Sequence, residues 1–251
     1  MESNRPIVLS IAGFDPSGGA GLLADVKTFE QYRVYGLVIS TAQTLQTENK
    51  FYSIRWETQA EILKAIETLL SQYEVKVAKI GIVENIEVLK NIVSFIYQKN
   101  KNCKIIIDPI IKSSSGFDFW NGKMDQKVLL EIISKVYLIT PNYIEAAQLL
   151  PSKEAKDSAR QLAEHTNVLL KGGHNTEEIG VDYLYTKNKV EKIEASGLSS
   201  YSKHGSGCVL SAAIAANLAL SFDLLTACTN AKRYIEKFLA SNTGLLGYHH
   251  V

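Results

Sequence analysis

Six short apolar runs, each closed by a glycine, a polar residue or a polar–proline step, constrain this chain more tightly than any other feature of it. Ile7 to Ala12 stops at Gly13, and beyond Gly21 the residues Leu22, Val26 and Phe29 recur at helical spacing. Leu37 to Ser40 precedes a segment with Ile62, Ile66, Leu69 and Leu70 on one helical face, and Val77 to Ile80 precedes one carrying Ile86, Leu89, Val93 and Ile96. Lys104 to Ile107 ends at Asp108-Pro109, Val136 to Ile139 at Thr140-Pro141-Asn142, and Val168 to Leu170 at Lys171-Gly172-Gly173. Short, β-branched and without polar alternation, such runs are strands covered on both faces. Their alternation with helices requires a parallel sheet between two helical layers. Val181 to Tyr185 and Val190 to Ile193, around Lys187-Asn188-Lys189, predict an antiparallel hairpin at a sheet edge. Two helices close the chain, Val209 to Leu220 and a second with Leu224, Leu225, Cys228, Ala231, Ile235 and Phe238. The prediction is a three-layer α/β/α sandwich with a mostly parallel central sheet and an antiparallel edge hairpin, residues 1–251 forming one domain.

Charge narrows the partners. Lys plus Arg number 27 against 26 Asp plus Glu, a net charge of +1, so no broad field attracts nucleic acid or an anionic membrane. A small-molecule substrate is expected instead. Cys103, Cys208 and Cys228 form no Cys-x-x-Cys pair and predict reduced thiols in a cytoplasmic protein. The first apolar run breaks too early for a signal-peptide core, and Val209 to Leu220 is too short to span a bilayer. A soluble protein is expected.

In sheets of this kind, ligands gather beyond the carboxyl ends of the strands. Asp108, Asn142 with Glu145, and Lys171 all follow strand-like runs there. Asp, Asn and Glu are the hard oxygen donors that magnesium takes beside phosphate; the alternative is that these residues form turns and a helix start. His204-Gly205-Ser206-Gly207-Cys208 opens the helix from Val209, so backbone N–H groups and the positive end of a helix dipole face one spot suited to an anion. At that position the Cys208 thiol is expected to have a lowered pKa. Close helix packing would account for the same small residues. Asp15-Pro-Ser-Gly-Gly-Ala-Gly21 is a second glycine cluster between strand and helix; it fits neither Gly-x-Gly-x-x-Gly nor a Walker loop, and serves either a flat ligand or tight packing. Asp25 is expected exposed on the helix that follows. His204 is expected to cap or orient the glycine loop, His249-His250 to form a mobile tail, and the histidines show no zinc-ligand spacing with the cysteines.

Taken together, these segments resemble the hydroxymethylpyrimidine and phosphomethylpyrimidine kinases of thiamine synthesis, within the ribokinase-like superfamily. The resemblance rests on Ile11 to Phe29, Lys79-Ile-Gly81, Asp108-Pro109, Thr140-Pro-Asn142 with Glu145-Ala146, Lys171-Gly-Gly-His174 and His204 to Ala216, in that order. It implies a homodimeric, ATP- and Mg2+-dependent kinase that phosphorylates 4-amino-5-hydroxymethyl-2-methylpyrimidine and then its monophosphate. Gly205, Ser206 and Gly207 would form the anion hole, and Cys208 would be the general base. Asn142 and Lys171 would approach the nucleotide, and Asp108 and Glu145 the metal. Gln46, Asp25, Gly13, Thr44, Ile82 and Ile110 would line the acceptor pocket, with Gln46 pairing the aminopyrimidine edge.

Departures concentrate in that pocket. Thr41-Ala-Gln-Thr-Leu-Gln-Thr-Glu48 differs from the family's usual Thr-Ala-Leu-Thr-Ala-Gln-Asn-Thr, Ile82 stands where methionine is expected, and Ser206 and Lys203 each replace threonine. Gln43 is a competing amide. Two other readings stay open: a vitamin B6 kinase acting on pyridoxal or pyridoxine, and a catalytically silent ligand-binding protein of the same fold.

Overall fold

The computed structural model describes residues 5–111, 119, 125–175, 177–198 and 201–249. Its centre is a sheet of nine strands in the order β3-β2-β1-β4-β5-β6-β7-β8-β9. These are β1 (Ile7–Phe14), β2 (Tyr35–Gln46), β3 (Phe51–Trp56), β4 (Val75–Ile80), β5 (Lys104–Ile107), β6 (Leu138–Ile139), β7 (Asn167–Leu170), β8 (Asp182–Thr186) and β9 (Lys189–Ile193). Pairing from β2 through β7 is parallel, and the expected hairpin β8–β9 extends it antiparallel.

The opposite edge differs from expectation, because β2 continues past Ser40 and pairs antiparallel with β3. Ala42 to Gln46 lie opposite Phe51 to Trp56 in a ribbon whose Leu45 and Tyr52 are exposed. A strand wet at its tip carries no continuous apolar run, which is why periodicity did not reveal it.

Each parallel strand sends alternate residues to two cores. Leu9, Ile11, Ile105 and Ile107 face one layer, built from α2 (Gln59–Gln72), α3 (Ile86–Lys99), α4 (Gln126–Ile133), α5 (Tyr143–Leu149) and α6 (Ala155–Leu162). Val8, Val77, Ile106 and Leu138 face the other, built from α1 (Gly21–Gln31), α7 (Ser206–Ala219) and α8 (Leu224–Ala240). From Cys208 to Ala219 every residue of α7 is buried, and its alanines let it lie close between the sheet and its two neighbours. Among the described residues no helix is long and apolar enough to cross a membrane. The three cysteines are free and buried.

Candidate active site

The parallel strands end along one edge, where Gly13 lies near the end of β1 and Gly81, Asp108, Thr140 and Lys171 directly follow β4, β5, β6 and β7. Backbone bonds run across that edge, Asp108 N–H to Ile80 O and Thr140 N–H to Ile107 O, so the loop starts are as fixed as the strands. The Lys171 ammonium donates to Asp108 Oδ1 at 2.8 Å and lies 3.6 Å from Glu145 Oε2. Thr140 and Ser211 hydroxyls also donate to the Asp108 carboxylate. Burial alone would raise the Asp108 pKa, but the Lys171 and Lys79 ammonium groups reverse that and hold it below the usual carboxylate value. Glu145 goes the other way, raised by burial and by the Asp108 charge against the pull of Lys171. Lys171 itself is raised, its burial outweighed by the two carboxylates.

Asn142 and Glu145 form a reciprocal cap on α5: the Asn142 side chain accepts N–H bonds from Ile144 and Glu145, and Glu145 Oε2 accepts the Asn142 N–H at 2.7 Å. The turn-and-helix reading of these residues is therefore realised, and the same cap aims Glu145 at Lys171.

Gly205 begins α7 at φ +72°, where a side chain is disfavoured, and a Cβ there would stand 2.0 Å from Gly19 O. Val209 donates the first backbone bond of the helix, to Gly205 O, and among the described residues no side chain caps the N–H groups of Ser206, Gly207 and Cys208 before it. A Cβ on Gly207 would lie 3.4 Å from Lys171 Nζ and 3.5 Å from Asp108 Oδ2, so the amide cradle sits directly above the lysine–carboxylate cluster.

Cys208 is fully enclosed, and here the structure corrects the sequence expectation. Burial pushes the thiol up to about 11, with Lys79 and a backbone hydrogen bond from Gly21 opposing and Asp25 and Asp108 reinforcing the rise. The Gly21 N–H belongs to the first residue of α1. Two helix N-termini, of α1 and α7, thus meet at one sulfur.

Asp25 is likewise corrected: it is wholly buried rather than exposed. Its carboxylate receives Lys79 Nζ at 3.0 and 2.9 Å and the Ser10 hydroxyl at 2.5 Å. Burial alone would lower the Lys79 pKa; Asp25 outweighs it and keeps the ammonium charged. Lys79 stands within the buried run Val77–Ile80 and needs a partner. That interruption was the available signal for the pair. His249 does not form a free tail, since it takes a hydrogen bond with Tyr234 OH at 2.9 Å and stacks near Phe238; His250 lies outside the described residues.

On the acceptor side, Thr44 donates to Phe14 O at 2.9 Å and Gln46 Nε2 donates to Thr44 Oγ1 at 3.0 Å. Ile82 packs against Gly13, where a Cβ would meet its Cδ1 at 2.4 Å, and Thr41 donates to Ile82 O. Gly13, Thr44, Gln46 and Ile82 are therefore brought together, whereas Gln43 turns to Ser40. Ile110 packs, partly buried, on the α7 side of the sheet. Lys203, a departure from the family pattern, donates to Asn242 O and Gly244 O and ties the loop before Gly205 to the C-terminal segment.

An α/β/α sheet whose strand ends gather an amide cradle, two lysines and paired carboxylates belongs to the small-molecule kinases. Comparison with known proteins gives the family. The phosphomethylpyrimidine kinase model matches residues 15–250, and the chain belongs to that family. It is 32% identical over 247 residues to the hydroxymethylpyrimidine/phosphomethylpyrimidine kinase of Aquifex aeolicus, covering 95% of this chain and 96% of that one. The Rhizobium meliloti protein of the same name is 32% identical over 94% of this chain and 91% of its own length. Among solved structures, the phosphomethylpyrimidine kinase of Clostridium difficile superposes with TM-score 0.79 at 30% identity, covering 93% of this chain and 99% of that one. The pyridoxal kinase of Staphylococcus aureus in complex with ADP gives 0.82 at 25% identity, over 94% and 89%. The fold is ribokinase-like and the protein is a phosphotransferase.

Proposed function

We propose that this kinase transfers the γ-phosphoryl group of ATP to the hydroxymethyl oxygen of 4-amino-5-hydroxymethyl-2-methylpyrimidine, and then phosphorylates the monophosphate to the diphosphate. The observation that carries the reading is the meeting of Cys208, the Gly205–Cys208 cradle and the Lys171–Asp108–Glu145 cluster on one edge. Gln46 and Thr44 offer the aminopyrimidine edge a donor and acceptors, with Gly13, Ile82 and Ile110 as walls and Asp25 beneath. As the substrates assemble the Cys208 thiol gives its proton to water; the acceptor oxygen then attacks the γ-phosphorus, its own proton passes to the thiolate sulfur, the bond to the bridging oxygen breaks, and ADP leaves. Amides of Ser206, Gly207 and Cys208 take up charge developing on the transferred group.

Asp108 and Glu145 suit a Mg2+ ion: two carboxylates share one ammonium and leave negative charge for a cation that phosphate oxygens and water complete. Bound there, the ion would neutralise phosphate charge. Lys171, with Asn142 beside it, would face the phosphates. Asp182 accepts the Gly172 N–H and pairs with Lys232, which lines a cavity of about 350 Å³ between β9 and α8 with Thr229 and Arg233. A cytoplasmic homodimer completes the proposal, and light scattering of the purified protein tests the dimer.

Close superposition on a pyridoxal kinase supports a second reading, a vitamin B6 kinase. One experiment separates them: ATP-dependent turnover of the hydroxymethylpyrimidine, its monophosphate, pyridoxal and pyridoxine side by side. Turnover of the first two above the others is expected; preference for the pyridines would overturn the pyrimidine assignment, and ATP binding without any turnover would point to the silent protein.

A further inference from the structure

The two glycine clusters, far apart in sequence, are bolted together by one buried pair. His204 Nε2 lies 2.8 Å from Asp15 Oδ2, with side chains 7% and 2% exposed. The same carboxylate organises its own loop, accepting the Ser17 N–H at 2.9 Å, the Ser17 hydroxyl at 2.8 Å and the Ala20 N–H at 2.9 Å. Four hydrogen-bonding contacts on one carboxylate leave that loop little freedom. Contact between the loops is as tight as glycine permits: a Cβ on Gly19 would come within 2.7 Å of His204 Cδ2, and one on Gly205 within 2.0 Å of Gly19 O. Immediately after the loop comes Gly21, whose N–H reaches the Cys208 sulfur.

We propose that Asp15 and His204 are a positioning pair, acting through Gly21 and Gly205, that aligns the acceptor-side loop and the Gly21 N–H with the anion hole and Cys208. The inference rests on the reading of Cys208 as the base. Neither residue touches the reacting atoms. Each substrate has its own half of the site, the acceptor along β1 and β2 and the phosphates at α7 and Lys171, so each half keeps its affinity when the pair is broken. What is lost is their alignment, and that appears in kcat.

The test compares His204→Ala, His204→Gln, Asp15→Asn and Cys208→Ala by steady-state kinetics and thermal unfolding. Glutamine can return an N–H to Asp15 from about the place of Nε2. His204→Ala is expected to lower kcat at least tenfold with both KM values within twofold, and His204→Gln to recover kcat to within about threefold of the parent. A stability role alone would lower the melting temperature of His204→Ala without this kcat-against-KM split or its rescue. If His204→Ala does not fold, the near-isosteric Asp15→Asn carries the same expectation; failure of both to fold marks a folding element and overturns the proposal. So does kcat within twofold of the parent in His204→Ala, or a loss that His204→Gln leaves unrelieved. Inactive Cys208→Ala beside normal His204→Ala defeats this inference alone, whereas active Cys208→Ala defeats the assignment of the base and the inference with it.

Discussion

Replacing Lys79 with methionine removes one charge from a wholly buried pair and keeps most of the stem volume, so its cost is set by what becomes of Asp25. The carboxylate would retain the Ser10 hydroxyl but lose two ammonium contacts of 3.0 and 2.9 Å. At zero exposure it has no water to replace them, and its escape is to bind a proton. Protonating a carboxyl whose unfolded pKa is about 3.9 costs about 1.36 kcal/mol per pH unit, hence about 4 kcal/mol at pH 7 and about 1.5 kcal/mol at pH 5. Burial already raises the Asp25 pKa in the parent against the pull of Lys79 and Ser10, and without the Lys79 ammonium it rises further. The folded protein therefore holds a proton that the unfolded chain sheds above pH ~4, and stability falls as the pH rises. Equilibrium urea unfolding of parent and Lys79→Met at both pH values measures this. The gap between them is expected to widen from pH 5 to pH 7 by at most about 2.5 kcal/mol, less whatever part of the rise in pKa the parent already carries. Adding Asp25→Asn should abolish that widening, because the titrating group is gone. A gap that is equal at the two pH values, or below about 1 kcal/mol at pH 7, would refute the buried ion pair.

Three further substitutions probe the site. Gly205→Ala places a Cβ 2.0 Å from Gly19 O at a positive φ, and by displacing the amide cradle should lower kcat about 100-fold or more, measured by ADP release. Gln46→Ala should raise the acceptor KM by roughly 2- to 10-fold, the size of one neutral hydrogen bond of about 0.5–1.5 kcal/mol, and leave the nucleotide KM unchanged; an unchanged acceptor KM removes Gln46 from the pocket. Lys171→Met should raise the nucleotide KM by about tenfold or more, since bonds to charged groups are worth about 1.5–3 kcal/mol, and nucleotide titration calorimetry showing parental affinity would exclude Lys171 from phosphate binding.

Legibility in the sequence tracked burial. Strands β1 and β4 to β7 lie between two helical layers, so their runs carried no polar interruption except where a partner was supplied, and the hairpin β8–β9 announced itself by its turn. β3 was missed because only one side of it is paired and Tyr52, Ser53 and Arg55 meet solvent. Within the site, sequence placed residues next to a loop but could not say which loops touch. Asp15 and His204 are 189 positions apart. Nothing local to either names the other, and likewise the Asp25 partner lies three strands on in chain order, on β4. Helix α7 misled in the opposite sense: a cysteine at a helix start suggests a lowered thiol pKa only while the start stays near water, and the all-buried run after Cys208 should have weighed against it.

The proposed assignment of Cys208 as base requires a buried thiol to lose its proton, and the charges around it bear on that step. Asp25, Asp108 and Glu145 face Lys79 and Lys171 in the free protein, three carboxylates against two ammonium groups, and burial dominates. The chain's own counterweights are those lysines, the Gly21 N–H and the two helix starts, all held by backbone or by enclosed contacts rather than by flexible surface groups. Fixed dipoles in a water-poor site act at full strength without reorganising. A free protein that keeps its thiol protonated resists oxidation and alkylation, for which the thiolate is the reactive form. On the proposed assignment the proton leaves to water as the substrates assemble, and the groups that favour its leaving are already in place.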